Sequence, residues 1–274
     1  MKELYLDLSM GIAGDMFSGA LLQLLEENRR SEVLAQLNSL GLQDVVSSVN
    51  NVTRCGINGL ALHVKISEVE EVPEEVVEDH HHHEDHHHEH HHHHGRSLRD
   101  VEEIIDGLSV KDSIKHQVKE VYKKIAIAEG KAHGKEVGEI HFHEVGMLDA
   151  IFDVTAACVL MDELAVEKVI STPVCVGKGK VKCAHGILDV PAPATKYILE
   201  DENLPYYYSD KELGELCTPT GAAILAHFVT EFLSEKELDL DQILEDNKIT
   251  AGFGMGHKNF EKPNCVKAYI NTLS

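Results

Sequence analysis

Apolar and polar positions alternate at once in "ELYLDLS" (3–9), which predicts a short strand. A glycine turn, "MGIAG", follows. Apolar residues then recur at helical spacing through "MFSGALLQLLEEN", so a helix is predicted from about Asp15 to Asn28. A second helix is predicted over 31–40, ended by Gly41, and "GLALHVKIS" (59–67) reads as a strand. Further on, helices are predicted over 98–108 and 112–133, a short strand and turn in "VGEIHFHEVG" (137–146), and a helix over 147–164. "EKVISTPVCVG" (167–177) reads as one strand ending in a glycine-rich turn. "GILDVPAPATKYILE" (186–200) leads into a short helix, and "LPYYY" (204–208) is extended. "CTPTGAAILAHFVTEF" (217–232) begins a helix with Thr218 as its cap and Pro219 at its first position. "NCVKAYINTLS" (264–274) closes the chain as a strand. Strands interleaved with helices predict an α/β fold, with a mixed α+β arrangement as the alternative. There is no internal repeat.

The periodicity stops between 68 and 97, where "EVEEVPEEVVEDHHHHEDHHHEHHHHHGRS" offers little to bury. This stretch is expected to be a disordered, acidic and histidine-rich insert. It divides the α/β domain into residues 1–67 and 98–274. The two pieces are expected to share one core, since a fragment as short as the first is marginal alone.

Composition narrows the functions. The chain has 274 residues, 47 Asp and Glu against 25 Lys and Arg, and a formal charge of −22. Residues 68–94 hold ten acids and no Lys or Arg, but the remainder is acidic as well. Such a surface attracts cations and repels nucleic acid and anionic membranes, so neither is expected as a partner. No apolar run approaches the ~20 residues of a membrane span, and the N-terminus does not read as a secretory signal. The six cysteines form no CxxC pair, which argues against a disulfide framework or a structural zinc site. A cytoplasmic protein with reduced thiols is expected.

Six regions offer chemistry. The tract contains His80, His81, His82, His83, His86, His87, His88, His90, His91, His92, His93 and His94, interrupted by Glu84, Asp85 and Glu89. Imidazole suits nickel, zinc and copper, so the tract is read as collecting or buffering metal; without fixed geometry it is not read as catalytic. In "HFHEVGMLDAIFDV", His141 and His143 would share one side of a strand, Glu144 follows on the turn, and Asp149 and Asp153 share one helix face. These five are the candidates for catalysis, with His141, His143 and Asp149 as metal ligands. The bland alternative is acids that merely favour a helix start. Asp7, Ser9, Gly11, Gly14 and Asp15 form a strand, glycine turn and helix start that can present N–H groups to an anion, though a tight turn is the ordinary explanation. Thr218, Thr220 and Gly221 open a helix, and "AGFGMGHKN" offers further glycines with His257 and Lys258; either can cradle phosphate or be an ordinary loop. His185 lies near Lys178, Lys180 and Lys182, basic residues in an acidic chain, which suggests an anionic ligand.

Taken in order, "YLDLSMGIAGDM", "HFHEVGMLDAIFDV", "AHGILDVPAPAT", "CTPTGAAIL" and "AGFGMGHKNFEKPN" resemble the nickel-insertion protein of the lactate racemase maturation system along nearly the whole chain. The resemblance implies a cyclometallase that inserts nickel into pyridinium bisthiocarboxylic acid mononucleotide, giving the nickel-pincer nucleotide cofactor passed to lactate racemase apoprotein. It implies CTP, with manganese or magnesium, bound by a C-terminal domain. This chain ends near that boundary and is read as the N-terminal portion. A homo-oligomer is expected. The competing reading is a nickel store or metallochaperone without chemistry of its own.

Overall fold

The computed structural model describes residues 2–66, 95–183, 186–236, 238–239 and 249–272. The insert as far as residue 94 lies outside the described residues. Its predicted last three residues belong to the fold: Arg96 and Phe142 exchange backbone hydrogen bonds of 3.0 and 2.7 Å. Ser97 caps α3 (Leu98–Gly107) in a reciprocal box with Asp100.

The fold is mixed α/β. β1 (Lys2–Asp7) sits inside a seven-stranded sheet. On one side it pairs in parallel with β4 (Lys168–Ser171), which carries the edge strand β10 (Glu231–Phe232). On the other it pairs antiparallel with β12 (Cys265–Thr272), followed by β11 (Ile249–Met255), β3 (Ile57–Ile66) and β2 (Val45–Arg54). β2 was not predicted. Its inward positions include Ser47, while Val46 is exposed, so the hydrophobic alternation that marks a strand is blurred.

α1 (Gly14–Leu24) lies on β11 and β3 and buries nine of its eleven residues. It is shorter than predicted. The chain turns at Leu25, and α2 (Glu27–Leu37) starts four residues before the predicted 31. The Arg30 guanidinium fills the gap, donating to the Leu22 carbonyl at 2.9 Å and the Leu25 carbonyl at 3.0 Å. Both carbonyls lie at the end of α1, where intrahelical donors run out. α4 (Asp112–His133) and α5 (Leu148–Leu164) fall where the periodicity put them. α5 is apolar on nearly every side and packs among α1, α4 and α7 (Pro219–Phe228). One hydrophobic cluster unites residues before the insert, such as Leu4, Phe17 and Leu62, with Val101, Tyr122 and Phe152 after it.

Three expectations need correction. Residues 137–146 are not a strand: two short 3-10 turns, Val137–Glu139 and Glu144–Gly146, flank a single bridge to Arg96. Phe142 is held by burial against Tyr122, ring centroids 6.1 Å apart, rather than by a ladder. The predicted strand 167–177 breaks at Thr172–Pro173. Its second half, β5 (Val174–Lys178), joins a separate small sheet with β8 (Tyr206–Tyr208) and β9 (Gly214–Glu215). Proline lacks the N–H needed to continue a ladder. Finally, "AGFGM" is not a loop but part of β11. The remaining elements are the hairpin β6 (Lys180–Cys183) with β7 (Gly186–Asp189), and α6 (Pro193–Asp201).

Candidate functional site

The turn after β1 is built to bring distant segments together. Gly11 has φ +79°, and a Cβ there would lie 2.0 Å from the Leu216 carbonyl oxygen. That close approach lets Ile12 donate its N–H to Leu216 O at 2.9 Å and accept from Thr218 N–H at 3.1 Å. The β1–α1 turn is thereby zipped to the segment that starts α7. Thr218 Oγ1 caps α7 by accepting the Gly221 N–H at 3.1 Å, and lies 3.1 Å from Thr220 Oγ1. Gly221 itself packs against the Ile12 carbonyl, which leaves no room for a side chain.

A cleft of about 410 Å³ opens where these turns meet the start of α5. Asp15, Asp149, Asp153, Thr218, Thr220 and His257 line it. Gly14 is required here, because a Cβ would sit 2.7 Å from the Asp153 Cβ. Asp153 Oδ1 is sealed from solvent and has no hydrogen-bond partner. Burial, with the charges of Asp15 and Asp149 beside it, holds the Asp153 carboxyl well above the usual carboxylate range, against the Asp15 backbone N–H that favours its ionised form. His257 Nε2 lies 3.3 Å from Asp15 Oδ2, and this contact raises the imidazole's pKa despite partial burial. His63 lies 5.3 Å from His257, centroid to centroid, and is pushed the opposite way by burial and the His257 charge. The cleft thus pairs one imidazole with a group of acids, one of which is held well above the usual carboxylate range by burial and by its neighbours' charges.

A second cavity of about 470 Å³ adjoins it. His143 and Glu144 line it with Glu129, His133, Lys182 and Cys183. Glu215 lines both cavities. Burial pushes its carboxyl up to about 7, helped by Glu144 and opposed by Lys258. A carboxyl resonance for Glu215 is therefore expected to titrate near neutrality by NMR. Lys258→Met is expected to raise that midpoint and Glu144→Gln to lower it; a midpoint that ignores both would remove Glu215 from this electrostatic setting.

The structure does not gather His141, His143, Glu144, Asp149 and Asp153 into one ligand sphere. The two aspartates face the first cavity, His143 and Glu144 the second, and His141 is exposed and lines neither. Among the described residues no three His, Cys, Asp or Glu side chains stand close enough to hold a metal ion unaided. Asp7 is engaged in the sheet, accepting from Lys267 Nζ at 2.8 Å and from the Ser9 N–H at 2.9 Å. Ser9 faces a different cavity, on the other side of the turn. Lys180 is paired with Asp189 across its hairpin. His185 and the tract from His80 to His94 lie outside the described residues. His63 and Glu215 carry no sequence motif, and His257 and Lys258 stood out only within a stretch that could cradle phosphate or be an ordinary loop. The one signal for His257 was its place directly after "GFGMG"; a lone Glu215 gave none.

Against this geometry, known proteins give a consistent answer. A family model described as "Nickel insertion protein" matches residues 4–274, and the chain belongs to that family. It is 43% identical over 281 residues to the pyridinium-3,5-bisthiocarboxylic acid mononucleotide nickel insertion protein of Clostridium acetobutylicum, covering 98% of this chain and 64% of that protein. It is 39% identical over 271 residues to the protein of the same name in Clostridium kluyveri, covering 98% and 62%. A relative of that name in Alkaliphilus metalliredigens is 38% identical over 270 residues, covering 98% and 60%. The chain therefore spans less than two thirds of the length of these relatives. No solved structure matches. Among the described residues no helix is long and apolar enough to cross a membrane, and all six cysteines are free thiols.

Proposed function

We propose that this chain carries the nickel-inserting site for pyridinium bisthiocarboxylic acid mononucleotide, and that the cleft of Asp15, Asp149 and Asp153 holds nickel as cargo. The observation that carries this reading is Asp153 Oδ1, buried, unpartnered and set among two further carboxylates. A divalent cation would supply the missing partner. The names of the relatives supply the metal and its acceptor. Nickel accepts sulfur donors as well as nitrogen, and hard carboxylate oxygens suit it less, so a thiocarboxylate can draw the ion from the acid cleft by ligand exchange. The CTP-dependent step with manganese or magnesium, a C-terminal domain that performs it, and delivery to lactate racemase belong to the same proposal and rest on the resemblance.

A nickel store would bind the ion and not pass it on, so calorimetric nickel titration with and without the thiolated mononucleotide separates the readings. Deleting residues 80–94 is expected to lower the number of ions bound and, with the thiolated mononucleotide present to complete the coordination, to leave about one tight equivalent. Asp149→Asn in that background is expected to weaken the tight equivalent about tenfold or more, the loss of one charged ligand. A deletion variant that binds no nickel, with or without the mononucleotide, defeats the proposal and leaves storage by the tract.

A further inference from the structure

The β1–α1 turn has two faces, and only one looks into the acid cleft. Ser9 and Met10 line a separate cavity of about 620 Å³, while residues from Ala13 to Met16 line the cleft. Leu216 lines both, so the two spaces meet across one side chain. We propose that this third cavity binds an aromatic mononucleotide, with a cationic ring against Tyr207 and its phosphate among Lys211, Lys236 and Lys262. The inference rests on the nickel-insertion reading for the identity of the ligand and extends it by naming where that ligand is held.

Three observations point to this chemistry. The volume is in the usual range for a small-molecule site. Its walls include Tyr207, Tyr208 and Phe260, flat surfaces for a ring. The Tyr207 ring already hosts a cation, since Lys236 Nζ stands 4.4 Å from its centroid. A ring face that attracts an ammonium also attracts a pyridinium, which is a cation spread over an aromatic plane. The charge balance is the third. In a chain where acids outnumber bases almost two to one, three lysines here face only two acids, Asp210 and Glu261. That local reversal of sign suits a phosphate. Lys211 is paired with Glu261, and the two acids can accept from ribose hydroxyls. A ligand anchored here by its phosphate would lie beside Leu216, the buried residue whose other side lines the acid cleft.

The test is equilibrium binding of pyridinium-3-carboxylic acid mononucleotide, and of the same nucleoside without phosphate, to the 274-residue chain. Lys236→Gln combined with Lys262→Gln removes two exposed cations without touching the core. This pair is expected to weaken the mononucleotide about tenfold or more and to leave the nucleoside within about twofold. Tyr207→Leu is expected to weaken both ligands, and raising the salt should weaken only the phosphorylated one. Mononucleotide binding that is indifferent to all three substitutions, or no binding to the wild type, overturns the site. Nickel titration of the same variants keeps the two readings apart. Lysine-dependent nucleotide binding without a tight nickel equivalent sustains this cavity and defeats the metal assignment, whereas unchanged nickel binding with lysine-independent nucleotide binding does the reverse.

Discussion

Gly254→Ala is expected to destabilise the protein by about 3 kcal/mol or more, or to prevent its accumulation in folded form. A Cβ at that position would lie 1.6 Å from the Met16 carbonyl oxygen and 2.6 Å from the Ala20 nitrogen. Both atoms are backbone, so no rotamer change relieves the clash. Gly252, on the same strand, meets the Ala20 carbonyl at 2.2 Å. The glycines of β11 thus let α1 ride directly on the sheet, and that contact sets the position of Asp15 one turn back. A shift of α1 would move Asp15 away from Asp153 and His257, so nickel affinity should fall in any folded fraction. Gly107→Ala is the control: nothing lies within 4 Å of its would-be Cβ, and it sits at the end of α3. That change is expected to be neutral or to stabilise by up to ~1 kcal/mol. Thermal unfolding of the two variants checks the contrast, and a Gly254→Ala protein with wild-type stability would show that α1 is not seated this tightly.

These glycines also mark the limit of what the chain discloses as text. "AGFGMG" looks like a phosphate loop because glycine repeats usually mean turns. In the fold its glycines are cut to fit a helix more than 230 residues earlier, a partner that no local pattern names. By contrast α3 and α4 were legible to within a residue, because their apolar periodicity is a local signal. β2 was illegible for the opposite reason, since its inward face carries a serine and an outward valine erases the alternation.

The candidate site divides in the same way. Asp149 and Asp153 were readable as one helix face, a relation fixed by four residues of spacing. Their approach to Asp15 was not, because it depends on α5 packing against α1 across the core. His143 was read on a strand and Glu144 on the turn after it, both beside those acids. Without a strand to hold them, the 3-10 turn at Glu144 carries them into the adjoining cavity, and Glu215 becomes the link between the two spaces. Glu215 and His257 belong to the site only through sheet β5–β9 and the end of β11, tertiary facts that the glycines before His257 do not disclose.

Asp153→Asn is expected to raise the stability of the metal-free protein at pH 8 while abolishing the tight nickel equivalent. Burial and the nearby Asp15 and Asp149 charges hold the Asp153 carboxyl well above its ordinary value, which in an unfolded chain is ~3.9. Between those two values the folded protein keeps a proton that the unfolded chain has released. The stabilising contribution is therefore complete below the unfolded pKa and declines as pH rises toward the folded one. Asparagine keeps the shape, cannot ionise, and can donate its amide hydrogens to the neighbouring carboxylates. The variant should lose this declining component, and at pH 8 it should be more stable than the metal-free wild type by ~1–3 kcal/mol, the usual penalty of a buried polar group without a partner. Glu215 and Glu129 are also held up by burial, but they contribute to both proteins and cancel in the difference. Nickel should reverse the order. The ion favours ionised Asp153, so it stabilises the wild type increasingly as pH rises, and leaves the variant where it was. Chemical denaturation at pH 5, 6.5 and 8, with the thiolated mononucleotide present and with and without nickel, on chains lacking residues 80–94, reads both effects free of the tract. Equal pH slopes in the two metal-free proteins would mean that Asp153 is not the buried acid on which the cleft depends. A nickel-induced gain that survives Asp153→Asn would place the ion elsewhere.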